Sequence, residues 1–229
     1  MKTIGLIGGI TWHSTLDYYR LINQMMNEKL GGDASAKILM SSLNFEEIKS
    51  LTIAEDWDGI ASVILTEVTK LEEAGADCML LCANTMHKIA EEIEVSLSVP
   101  LIHIAEETGK EIVNKQLSTV ALLGTRYTML LDFYKDKLSE QGLKTIIPNE
   151  EEIHYINSAI YNEMGNGIFL PERKEGFLKI INRLISEGAE GIILGCTEIP
   201  ILIKQEDVSV PVFDTTAIHS AAAVEFALS

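Results

Sequence analysis

Basic side chains are scarce in this chain. Lys and Arg number 18 against 34 Asp and Glu, a formal net charge of −16. That balance argues against a nucleic-acid partner, which needs clustered cations against phosphate. It argues equally against an anionic membrane surface. It leaves room for an anionic small molecule, because backbone N–H groups at a helix N-terminus can hold a carboxylate inside an acidic protein. No apolar run approaches the roughly 20 residues of a membrane span. The start, MKTIGLIGGITWHS, lacks an A-x-A-like cleavage site and leads into the polar STLDYYRLINQ, so it reads as strand and turn, not as a secretion signal. Cysteines number three, an odd count that fits a reducing compartment better than a disulfide framework. The expectation is a cytoplasmic protein. No segment is of low complexity, and no linker rich in Pro, Gly or Ser interrupts the chain.

Nucleotide and metal signatures are missing as well. GLIGGIT has no third glycine at the dinucleotide spacing, and LLGTRYT lacks the G-K-[ST] of a phosphate loop. Both read as tight turns whose backbone can approach a ligand. The five histidines are scattered, with no H-x-x-x-H and no Cys/His cluster at zinc spacing, so no metal is expected.

Apolar runs of strand length alternate with amphipathic stretches. TIGLIG precedes STLDYYRLINQMMNEKL, AKILMSSLNF precedes GIASVILTEVTKLEEAG, and CMLLCA precedes MHKIAEEIE. Strands alternating with helices imply an α/β fold with parallel sheets and helices on their faces. The chain also resembles itself. The stretch from Thr3 matches that from Thr119 with one gap, Gly75 onward matches Gly188 onward without one, and VPLIHI from Val99 matches VPVFDT from Val210. The offsets are 116, 113 and 111 residues, in consistent order, so a duplicated α/β unit is expected. Counting forward from Gly75 and Gly188 places Cys82 on Gly195, Ala83 on Cys196 and Asn84 on Thr197. Strand side chains alternate faces, so Cys82 should point away from the side that Ala83 takes.

Ligands of open parallel sheets bind beyond the carboxyl ends of the strands. A-N-T at 83–85 and C-T-E at 196–198 both lie there. Asn84 or Thr85, and Thr197, could cap the helices after them, with Pro200 in a first turn. Two helix N-termini in one cleft would make a carboxylate site. Cys78 and Cys82, inside apolar runs, read as small buried hydrophobes. Cys196 is open to two readings. It is a buried thiol like the others, or a reactive one, since it follows Gly195 and precedes a helix start that lowers a thiol pKa from about 8.5. His87 and His103 read as hydrogen-bonded structural residues more than as catalysts. Asp214 should cap or brace the last helix, and NEEEI at 149–153 should be a solvated loop and helix start.

GLIGGITWHSTLDYYRLIN, CANTMH, LLGTRYTM, GCTEIP and VPVFDTTAIH together resemble the aspartate/glutamate racemase family, in its bacterial branch with an N-T-M-H motif. The resemblance runs over essentially the whole chain. It implies two pseudo-symmetric α/β domains, residues 1–103 plus 211–229 and residues 104–210, with the active site in the cleft between them. It implies chemistry without cofactor, neither PLP nor metal, on a small amino-acid or carboxylic-acid substrate, in a homodimer. In two-thiol members one cysteine removes the α-proton and the other delivers a proton to the opposite face. Asn84, Thr85, Cys196 and Thr197 match those motifs, but the first thiol's position is Ala83. Gly8, Gly9 and Thr11 should line the substrate from one domain, and Gly124 and Thr125 from the other. Family members specific for aspartate hold the distal carboxylate with basic side chains, and the corresponding SLNFEE and YNEMGNG carry none.

A methyl group has no proton to give, which leaves three possibilities. Cys82 or water serves as the second donor. The protein performs one-base chemistry, as a lyase or isomerase on a small carboxylic acid. Or it binds a carboxylate without turning it over. A racemase with Cys196 as its acid/base stands first among these.

Overall fold

The computed structural model describes residues 1–229. The first half runs β1 (Ile4–Gly8), α1 (Trp12–Leu30), β2 (Ile38–Ser42), α2 (Phe45–Ile53), α3 (Trp57–Glu73), β3 (Cys78–Leu81), a 3₁₀ turn over Thr85–Ile89, and α4 (Ala90–Ser96). The second runs α5 (Ile104–Asn114), β4 (Thr119–Gly124), α6 (Arg126–Leu130), α7 (Asp132–Ser139), β5 (Lys144–Ile146), α8 (Glu150–Asn162), α9 (Pro171–Ser186), β6 (Gly191–Gly195), α10 (Ile199–Leu202), β7 (Val212–Asp214) and α11 (Thr215–Leu228). Two units result, Met1–His103 with His219–Ser229, and Ile104–Ile218. Each is a parallel sheet flanked by helices. No helix is long and apolar enough to cross a membrane.

The first sheet has the order β2-β1-β3 and the second β5-β4-β6-β7, every pair parallel. β1 and β3 are buried at every residue, as a strand covered on both faces must be. Their side chains alternate between two cores. Ile4, Leu6, Cys78, Leu80 and Cys82 pack with Tyr18, Ile22 and Met26, which recur at helical spacing along α1, and with Ala223, Val224 and Ala227 of α11. Ile7, Met79, Leu81 and Ala83 face the other way, onto Ile60, Ile64 and Val68 of α3. Each fully buried aliphatic side chain contributes about 1.5–3 kcal/mol to holding these layers together.

The repeat seen in the sequence is present as backbone register. Ile4 pairs with Cys78, and Val120, offset from Ile4 by 116, pairs with Gly191, offset from Cys78 by 113. Met79 bridges Leu101, and their counterparts Ile192 and Val212 pair in β6 and β7. The lower ends of the strands are latched alike. Thr3 N donates to Asp77 Oδ2 at 2.6 Å and Asp77 N to the Thr3 carbonyl at 2.8 Å. Thr119 N donates to Glu190 Oε2 at 3.0 Å and Glu190 N to the Thr119 carbonyl at 2.8 Å.

The structure departs from the sequence expectation in four places. β7 pairs with β6, so residues 211–218 lie in the second unit and the division falls inside α11. VPLIHI makes a single bridge at Leu101 instead of a strand, because α5 already begins at Ile104. AKILMSSLNF is a strand only over 38–42: Asn44 accepts from Glu46 N at 3.2 Å and starts α2. Where α1 is continuous, α6 and α7 are separated by an extended Leu131, which accounts for the gap between the two repeats.

Candidate functional site

In the first unit, β1 ends at Gly8 and the chain turns sharply at Gly9. Gly9 has φ +82°, and a Cβ there would stand 2.1 Å from the Leu43 carbonyl oxygen, so only glycine fits. Gly9 N donates to Thr15 Oγ1 at 2.7 Å, and Thr11 caps α1 by accepting from Ser14 N at 3.4 Å. Ser14 Oγ donates to the Cys82 carbonyl at 2.6 Å. The first turn of α1 is thereby pinned to the end of β3.

Ala83, Asn84 and Thr85 come directly after β3 and are all buried. The expected cap is not made: Asn84 has helical dihedrals and no side-chain capping bond, and the chain continues into a five-residue 3₁₀ turn. His87 Nδ1 lies 3.1 Å from the Ala83 carbonyl. A carbonyl only accepts, so this nitrogen carries the proton. The His87 ring lies 4.7 Å from that of His103 and 5.5 Å from that of His219. By the same logic His219 Nε2 donates to the Ile102 carbonyl at 2.7 Å, and its Nδ1 accepts from the Tyr18 hydroxyl at 2.8 Å. Burial, with a smaller push from His87, depresses His219 to about 3, although its bond to Ile102 works the other way. His87 and His103 sit in this buried cluster, and it is not a metal-holding group.

Cys82 is fully buried and packs with the α1 core, on the opposite side from Ala83. Burial pushes its thiol far above the ordinary range.

In the second unit, Gly124 and Gly195 pair at the ends of β4 and β6, and a Cβ on Gly124 would lie 2.8 Å from the Gly195 carbonyl oxygen. Thr125 accepts from Thr128 N at 3.3 Å and caps α6. Arg126 N donates to Asn157 Oδ1 at 2.8 Å, and the Arg126 guanidinium lies 4.9 Å over the Tyr127 ring. Next to Gly195, the Cys196 thiol donates to Glu198 Oε2 at 2.9 Å, and the Thr197 hydroxyl donates to the same oxygen at 2.8 Å. Glu198, not Thr197, is the residue at the start of α10, and α10 has only four residues, with Pro200 in its first turn as expected. Asp214 Oδ1 accepts from Thr216 N at 3.0 Å and Ala217 N at 3.1 Å, bracing α11 as the sequence suggested.

Cys196 is buried, and burial first, then the Glu198 charge and the bond to it, raise its thiol well above the usual value. The backbone N–H groups of Glu198 and Thr197 pull the other way and do not prevail. Tyr161 is raised too, by burial and then by Cys196, Tyr127 and Glu198, with Arg126 opposing. These five side chains share one electrostatic neighbourhood.

Ile192, Leu194 and Cys196 point into the core built on α8 and α9. Their counterparts 113 residues earlier, Met79, Leu81 and Ala83, point into the core built on α3. Within its own unit Ala83 therefore holds the place that Cys196 holds in the other. Glu198, Arg126 and Tyr161 were not singled out from the sequence. Glu198 was in plain view as the third residue of C-T-E; Arg126, in LLGTRYT, was passed over with a rejected phosphate loop.

A buried thiol hydrogen-bonded to a carboxylate, at a strand end of a duplicated α/β chain, is equipped for proton transfer. The chain belongs to the Asp/Glu/hydantoin racemase family, whose model matches residues 7–223. It is 30% identical over 166 residues to the "Broad specificity amino-acid racemase RacX" of Bacillus subtilis (strain 168), covering 71% of this chain and 70% of that protein. Among solved structures it resembles a candidate Asp/Glu racemase from Yersinia pestis, at 43% identity and a TM-score of 0.94 over 100% of both chains. An aspartate racemase homologue from Pyrococcus horikoshii OT3 is 38% identical, with a TM-score of 0.88 over 100% of both chains.

Proposed function

We propose that this protein is an amino-acid racemase that works without PLP or metal and uses Cys196 as its acid/base. The observation that carries the reading is the 2.9 Å bond from the Cys196 thiol to Glu198. The thiol is protonated at neutral pH and poised to donate. To act as base it passes its proton to the Glu198 carboxylate, and the thiolate then takes the α-proton, leaving a carbanion whose charge spreads into the substrate carboxylate. Return of a proton to the same face gives exchange. Delivery to the other face gives inversion. Asn84, Thr85 and Thr197, with the Gly8–Thr11 and Gly124–Thr125 turns, are the substrate-binding positions of this reading, in a cytoplasmic homodimer. Trp12, Leu16 and Tyr19, exposed at 58%, 57% and 51% on one helical face, support the second copy.

Ala83 favours a second reading, one-base chemistry on a small carboxylic acid, because its methyl cannot deliver a proton. Incubation with L- and D-amino acids in D₂O separates the two. Exchange with inversion supports the racemase, exchange on one enantiomer alone supports the one-base enzyme, and no exchange on any amino acid sinks the racemase reading.

A further inference from the structure

We propose that the Arg126 guanidinium binds the α-carboxylate of the substrate beside Cys196. This rests on the racemase reading above. Removing an α-proton drives charge into the carboxylate, and a fixed cation there stabilises the charge as it develops.

The positive charge anticipated from helix N-termini is not built. After Asn84 there is only a 3₁₀ turn of five residues, and after Glu198 a helix of four. Neither aligns enough peptide dipoles to substitute for a cation. The second of them also carries the Glu198 carboxylate at its start, which repels a second carboxylate.

The segments 8–14, 83–88, 124–127 and 196–200 contain two basic side chains, Lys88 and Arg126. Lys88 Nζ lies toward the Trp57 ring at the start of α3, 5.9 Å from its centroid. Arg126 is one residue past Thr125. Because Gly124 pairs with Gly195, Thr125 and Cys196 leave neighbouring strands side by side, about 4.8 Å apart by strand spacing. The Arg126 side chain then starts within reach of any atom that Cys196 can touch. Its backbone is fixed by the 2.8 Å bond from Arg126 N to Asn157 Oδ1. Its guanidinium rests on the face of Tyr127, an arrangement that leaves the N–H donors in the guanidinium plane, the geometry a carboxylate accepts two at a time. The field of Arg126 reaches Tyr161, which also feels Cys196 and Glu198. In the first unit the residue after the equivalent cap, Thr11, is Trp12, so the duplicated turn carries the cation in one copy only.

The test compares wild type, Arg126→Gln and Arg126→Lys in binding titrations followed by NMR, with thermal melts confirming that each variant is folded. The probes are alanine, aspartate and glutamate and the α-carboxamide of each. Arg126→Gln should weaken binding of all three amino acids about 10–100-fold, the loss of a charge-assisted bond, while leaving the carboxamides unmoved. Arg126→Lys should recover part of the loss. A loss confined to aspartate and glutamate would assign Arg126 to the side-chain carboxylate and overturn the proposal, as would no loss, or a wild type that binds none of the probes. Binding is read without turnover. A wild type that binds amino acids through Arg126 but exchanges no α-proton sinks the racemase reading and leaves this one standing.

Discussion

One oxygen of Glu198 accepts from two neighbours, the Cys196 thiol at 2.9 Å and the Thr197 hydroxyl at 2.8 Å. The carboxylate therefore does two things to the sulfur. Its charge keeps the proton on, and its lone pair is where that proton goes when the thiol must become a base. The two effects oppose each other, and mutation separates them.

Glu198→Gln removes the charge that holds the Cys196 thiol up, so the thiolate should appear at lower pH. The pH profile of alkylation by iodoacetamide should move down by one unit or more, roughly the worth of a close charge. Exchange of the α-proton should nevertheless fall about 10²-fold, because the proton acceptor is gone. An unmoved alkylation profile would show that Glu198 does not control the sulfur.

Cys196→Ser should abolish exchange, and Ala83→Cys should raise inversion relative to exchange. Ala83 is buried in the α3 core, so the added sulfur costs about 1 kcal/mol of packing at most if the site relaxes. Chiral chromatography beside deuterium incorporation gives the ratio. No change in that ratio would mean that position 83 is not where a second thiol works.

Gly9→Ala combines φ +82° with a Cβ 2.1 Å from the Leu43 carbonyl, and should destabilise the fold by about 3 kcal/mol or leave it insoluble. Gly31→Ala, at φ +74° with nothing within 4 Å, should cost only about 1 kcal/mol. Urea melts of the two variants decide it, and equal losses would mean that the Leu43 contact yields.

His219 is neutral in the fold, at about 3, and takes a proton in the unfolded chain below about 6.5. The unfolded state then binds more protons than the native one. Stability from this group is intact above pH 6.5 and is lost as pH falls toward 3, at up to about 1.4 kcal/mol per pH unit. Glu67, Glu152 and Glu163, whose carboxyls are held below their usual range, add losses of the same sign at the lower end of the window. His219→Gln should flatten the slope between about pH 6.5 and 5 while leaving the lower part. An unchanged slope there would place the proton uptake elsewhere.

Much of this fold was legible in the sequence because a duplicated chain carries its own alignment. The offsets of 116 and 113 residues reappear as strand register, and they place Ala83 and Cys196 alike on their sheets. The helix starts after Asn84 and Thr197 were not legible. A capping residue is a local signal, whereas helix length is decided by what the next turn packs against, and Met86, His87 and Ile89 are all drawn into the core within the 3₁₀ turn. The aromatic pairing also slipped: the sequences align Tyr19 with Tyr134, but the buried residue of α1 is Tyr18, because the break at Leu131 shifts the helical phase. Glu198 and Arg126 escaped notice for another reason. A side chain's use depends on neighbours distant in the chain, here Tyr161 and Asn157, that no single stretch displays.

The latches between Thr3 and Asp77 and between Thr119 and Glu190 differ by one methylene and lie at the strand starts, a full strand away from Ala83 and Cys196. Alignment of the strands is thus secured at one end and reactivity is carried at the other. Sulfur can be exchanged for a methyl without disturbing what keeps the strands in step, so each copy could acquire or discard a reactive group as an independent event. For a designer, positions 83 and 196 are two sockets of one pattern, open to chemistries that neither copy now contains.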